Sequence, residues 1–92
     1  MMQEEYITFL KRNGYHITSQ RRVLLSFFCS RQNAELSAQQ VIDHLKNTNK
    51  KISFDTVYKN LSLFVELGFL NCREDETKKI FSLNVVDSPV HY

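Results

Sequence analysis

The stretch Ile52-Ser53-Phe54-Asp55-Thr56-Val57-Tyr58-Lys59-Asn60-Leu61-Ser62-Leu63-Phe64-Val65-Glu66-Leu67-Gly68 carries its own start, face and stop. Ser53 is suited to accept an amide hydrogen bond from the first turn of a helix, Ile52 and Val57 stand at hydrophobic-staple positions, and Gly68 sits where a left-handed stop is wanted. At about 100° per residue, Phe54, Val57, Leu61, Phe64 and Val65 gather on one side, while Asp55, Tyr58, Lys59, Ser62 and Glu66 point away. A helix so divided must bury one stripe and leave the other to solvent or a partner.

Upstream, Ser37 with Gln40 forms a capping box for a helix whose inner side is Val41, Ile42 and Leu45, with Leu36 placed to staple against Val41. Before it, Thr18 caps a helix carrying Val23, Leu24, Phe27 and Phe28, with Gln20, Arg21 and Arg22 in its first turn. Arginines there oppose the helix macrodipole, which is easier to understand if that turn faces phosphates. A first helix runs from Gln3 to Asn13 on Tyr6, Phe9 and Leu10, and Gly14 stops it. Downstream of Gly68 the periodicity shortens: residues 69–73 and 78–83 read as strands around the polar turn Glu74-Asp75-Glu76-Thr77. The expected fold is mainly α with a small β-hairpin, a winged helix-turn-helix of four helices followed by a two-stranded antiparallel wing. Residues 1–84 make this domain. Residues 85–92, with the only proline at Pro89, show no period and read as a hinge leading away from the core.

Composition agrees with one domain. Ninety-two residues, 42% of them hydrophobic with seven Phe and four Tyr, can bury one core but not two. Twelve Lys and Arg against ten Asp and Glu give a net charge of +2, so any basic footprint must be local. Cys29 and Cys72 lack CxxC partners, which excludes a disulfide framework and a four-thiolate zinc site within the chain and fits a reducing compartment. No apolar run approaches the roughly 18 residues of a membrane span, and the polar start lacks the regions of a secretory signal; a cytoplasmic protein without membrane contact is expected.

In a winged helix-turn-helix the last helix enters the DNA major groove. Lys59 could donate to guanine O6 and N7 or to a phosphate, and the Tyr58 ring could meet a thymine methyl; Thr56 and Ser53 could contact phosphates. An amphipathic helix ordinarily has a polar outer face, however, and Asp55 and Glu66 would repel phosphate. Arg21, Arg22, Lys50, Lys51, Lys78 and Lys79 offset them locally. No catalytic constellation competes, since His16, His44 and His91 are dispersed and no phosphate loop or HExxH is present, so no enzyme is expected.

Four blocks in register, Gly14-Tyr15-His16-Ile17-Thr18-Ser19-Gln20-Arg21, residues 36–41, residues 52–61 and Leu67-Gly68-Phe69-Leu70, resemble the ferric uptake regulator family of bacterial metal-dependent repressors over nearly the whole chain. Thr56-Val57-Tyr58-Lys59-Asn60-Leu61 is the most specific of them. The resemblance implies a DNA-binding domain that reads an AT-rich palindromic operator, joined in the full-length protein to a C-terminal domain that dimerises and binds Zn²⁺ together with a sensed Fe²⁺, Mn²⁺ or Zn²⁺. It places Tyr58 and Lys59 at base-reading positions, Arg21 at a backbone-contacting position and His16 in a loop that reaches the minor groove.

The departures matter. Lys59 stands where the family usually has Arg, which keeps the charge but loses the planar fork. His16 replaces a common Lys. Glu35 replaces a ligand His and Ser82 a ligand carboxylate, leaving Glu35 and His91 as candidate metal ligands here, with no metal tightly bound by this chain. Residues 85–92 then read as the start of a missing dimerisation and metal-binding domain, and the chain alone as a monomer or weak dimer. A winged-helix protein-interaction module is the alternative function. If His16 touches DNA, His16→Gln should change the affinity for duplex DNA; binding by His16→Gln equal to that of the wild-type chain would exclude the contact.

Overall fold

Three helix starts are fixed by side chains within reach of their own first turns. In the computed structural model, which describes residues 2–47 and 52–84, the elements are α1 (Met2–Arg12), α2 (Ser19–Cys29), β1 (Leu36–Ser37), α3 (Ala38–Lys46), α4 (Phe54–Glu66), β2 (Leu70–Asp75) and β3 (Lys78–Leu83). Thr18 Oγ1 accepts from the Arg21 amide at 3.2 Å and Ser53 Oγ from the Thr56 amide at 3.2 Å. Ser37 and Gln40 complete the reciprocal capping box, at 3.2 and 2.9 Å. Gly14 and Gly68 take φ of 82° and 84° and close α1 and α4. Beyond Gly68 the Phe69 amide donates back to the Phe64 carbonyl at 2.8 Å and the Gly68 amide to Val65 at 3.1 Å, the paired bonds of a Schellman stop.

The core lies where the helices meet one face of the sheet. Leu10, Leu24, Phe28, Val41, Val57, Leu61 and Phe64 are fully buried, with Phe81 of β3 at 1% exposure. Ile52 and Val57, the expected staple pair, are both buried. Each such side chain contributes about 1.5–3 kcal/mol by leaving water.

The structure keeps the expected two-stranded wing, β2 with β3, and adds a short strand to it. The sheet has three strands in the order β1-β3-β2, because Leu36 and Ser37 pair antiparallel with Phe81 and Ile80. Two residues are too few for an alternating pattern, so this strand leaves no periodic trace in the sequence. The hairpin proper pairs Leu70 with Leu83 through Asp75 with Lys78, turning at Glu76 and Thr77. Phe54 is also displaced from expectation: assigned to the inner stripe, it is 48% exposed. As the first helical residue it has no preceding turn to lie against, and Ile52 takes the inward place.

Val57→Ala should lower unfolding stability by about 1–3 kcal/mol, read as a reduced urea midpoint with an unchanged slope. An unchanged midpoint would contradict the placement of Val57 in the core.

Candidate nucleic-acid interface

Burial of Val57, Leu61 and Phe64 sets the rotation of α4, and the rest of its surface follows. Ser53, Asp55 and Lys59 are exposed and Thr56 is half-buried. Ser53 Oγ also donates to Thr56 Oγ1 at 3.0 Å, so both hydroxyls are engaged with each other at the helix start. The amides of that first turn carry partial positive charge, which favours an anion there. Lys59 projects one turn further along.

Tyr58 departs from the outward orientation expected of it. It is half-buried and leans toward the wing, stacked on Phe54 at 5.9 Å between centroids and edge-on to Phe81 at 6.4 Å. Lys79 Nζ stands 6.0 Å from the ring centre, and hydrogen bonding to Tyr58 holds the pKa of that ammonium above the ordinary lysine range. The periodicity of a helix gives an angle around its axis, not what rises to meet it from another element. A cleft of about 390 Å³ lies between the wing and the starts of α3 and α4, lined by Gln39, Phe54, Tyr58, Thr77, Lys78 and Lys79 among others. Aromatic rings, the two lysines and the Glu74 side chain share its lining.

On α2, Arg21 is half-buried and its guanidinium is engaged inside the protein. Nε donates to Asn60 Oδ1 at 2.9 Å and Nη1 to the His16 carbonyl at 2.8 Å. The expected role of Arg21 as a simple backbone contact therefore acquires a structural part, since loss of the side chain would strand a buried amide. Arg22 and the His16 side chain are exposed. Lys78 and Lys79 are exposed on β3 but stand opposite Asp75 and Glu74 on β2, which weakens the wing's pull on phosphate. Lys50 and Lys51 lie outside the described residues.

The sequence reasoning passed over Asn60, Phe81 and the engagement of Lys79 with Tyr58. Asn60 was detectable: it lies three residues after Val57 and four before Phe64, at a core-facing position, and it is 8% exposed. The other two depend on pairings between α4 and the wing that no local pattern announces.

Of the two candidate metal ligands, Glu35 belongs to the described residues and His91 does not. Glu35 pairs with Arg73 at 2.7 Å, both side chains 56% exposed, and this partner holds the Arg73 pKa above its usual range. Ser82 is half-buried, and His91 lies outside the described residues. Among the described residues no three His, Cys, Asp or Glu side chains are placed to hold one ion, so the described residues alone assemble no metal centre around Glu35. Cys29 and Cys72 form no disulfide; burial pushes the Cys29 thiol pKa up. No described helix is long and apolar enough to cross a membrane.

With this geometry the chain can be set beside known proteins. A ferric uptake regulation protein of Staphylococcus epidermidis is 34% identical over 83 residues, covering 90% of this chain and 59% of the relative. The ferric uptake regulator of Francisella tularensis, solved with iron, superposes with a TM-score of 0.72 at 28% identity, over 77% of this chain and 55% of that one. The Vibrio cholerae ferric uptake regulator, described for a rearrangement of its DNA-binding domains, shares the fold with a TM-score of 0.76 at 24% identity, over 88% and 63%. The chain thus spans little more than half the length of these relatives. The ferric uptake regulator family model matches residues 12–92, and with the winged-helix fold and the sequence identity this shows that the chain belongs to that family.

Proposed function

We propose that this chain is the DNA-binding domain of a metal-responsive transcriptional repressor, placing the N-terminal half of α4 in the major groove of an AT-rich palindromic operator. The observation that carries this is the outward Lys59 on a helix start whose inner stripe is locked in the core. Lys59 donates to guanine O6 and N7 or to a phosphate, while the amides behind Ser53 and Thr56 favour a backbone phosphate. Tyr58 meets a thymine methyl from the cleft beside the wing, so the wing and α4 approach the duplex together. Arg21, Arg22 and Lys59 supply most of the local positive field, since the wing lysines stand opposite carboxylates.

In the longer proteins of the family the remaining length would carry dimerisation and the Zn²⁺ and sensed Fe²⁺, Mn²⁺ or Zn²⁺ sites, with residues 85–92 leading into it. A palindrome rewards two linked copies through effective concentration, so this chain alone binds weakly as a monomer or weak dimer and represses by covering a promoter without catalysis. The exposed ring of Phe54 beside Asp55 favours a second reading, a protein-interaction face.

Titrating salt separates the two. The DNA reading predicts a linear fall of log affinity with log salt on duplex DNA, and Lys59→Ala should weaken the preferred sequence by about 1–3 kcal/mol while flattening base preference. Salt-independent association, or a Lys59→Ala chain with unchanged affinity and preference, would favour the protein-interaction reading.

A further inference from the structure

Arg21 spans two parts of the interface that are separate in sequence. From α2 its fork reaches down to Asn60 on α4 and across to the carbonyl of His16, and its central carbon lies 6.0 Å from the centre of the Tyr15 ring. Asn60 occupies a core-facing position of α4, where an apolar residue would pack without needing a partner. A buried amide oxygen is costly unless its hydrogen bond is made, and a planar guanidinium can donate to it while holding a second acceptor elsewhere.

We propose that Asn60 is a positioning residue: through Arg21 it fastens the loop of residues 14–18 to α4, so that loop and helix meet a duplex as one preformed unit. The proposal rests on the DNA-binding reading above. Without the bridge the loop would have to be ordered during binding, and that ordering would be subtracted from affinity. The bridge also changes what Arg21 does, since its charge adds to the field felt by phosphate while its fork holds the protein together.

Asn60→Ala and Arg21→Lys both leave the net charge unchanged, so neither alters the long-range attraction of phosphate. The measurements are affinity, salt dependence and hydroxyl-radical footprint on a duplex enriched from a random-sequence pool by the wild-type chain, at a temperature where circular dichroism shows each variant folded. Each variant should bind about tenfold more weakly with the same salt slope, losing protection at the footprint edge beside the loop and keeping it at the centre. The double variant should be no worse than the weaker single, because the two side chains form one bridge. Wild-type affinity and footprint in the single variants, or losses that multiply in the double, would overturn the proposal. Should Asn60→Ala fail to fold, Arg21→Lys decides alone: a residue acting only by charge would leave binding intact. A wild-type chain that binds no duplex would overturn the DNA reading and this role together, whereas wild-type binding with unaffected variants would overturn the bridge alone.

Discussion

Seating Val57, Leu61 and Phe64 in the core is the constraint on which the rest depends. Each is fully buried, and together they fix α4 about its own axis. A turn of one residue would carry the stripe about 100° out of its socket and bring Tyr58 and Ser62, or Thr56 and Asn60, into the apolar interior. With the stripe seated, Lys59 faces solvent and the Ser53 turn stands clear at the protein's edge. The same burial that stabilises the domain therefore aims its chemistry, and neither can change without the other.

Two supports hold the helix start from different sides. On one, Phe81 of β3 meets the edge of Tyr58, and β3 also pairs with Leu36 and Ser37 directly before α3. The strand that braces the tyrosine thus also holds the cap of the supporting helix, which ties α3, α4 and the wing into one body. On the other, Arg21 joins α4 to the loop before α2. Across the hairpin the wing lysines face carboxylates, whereas Arg21 and Arg22 of α2 and Lys59 of α4 stand outside those cross-strand pairs.

Much of the fold was legible because it is written over short distances. The caps at Thr18, Ser37 and Ser53 each join residues three apart, and Gly14 and Gly68 stand at helix ends where positive φ is required. What escaped depends on partners far along the chain. β1 exists only because β3 arrives more than forty residues later to pair with it. Phe54 fits the helical stripe by angle yet lies outside it by depth, since nothing precedes it to pack against. Tyr58 was read from its own helix, and the wing that draws it aside is a separate element. Asn60 obeys the core period although it is polar, and a charged partner on another helix is how such a buried amide is accommodated.

Family membership and fold stand on the matched sequence and the shared architecture, while the aim of α4 toward DNA is the claim that experiment must decide. The most direct measurement is a nuclear magnetic resonance titration of the isotope-labelled chain with a duplex of alternating A·T pairs. Amide shifts should concentrate at residues 53–59, at the 14–18 loop and at Thr77–Lys79, with the outer face of α1 undisturbed. Shifts confined to α1, or none at duplex concentrations that saturate non-specific binding, would contradict it.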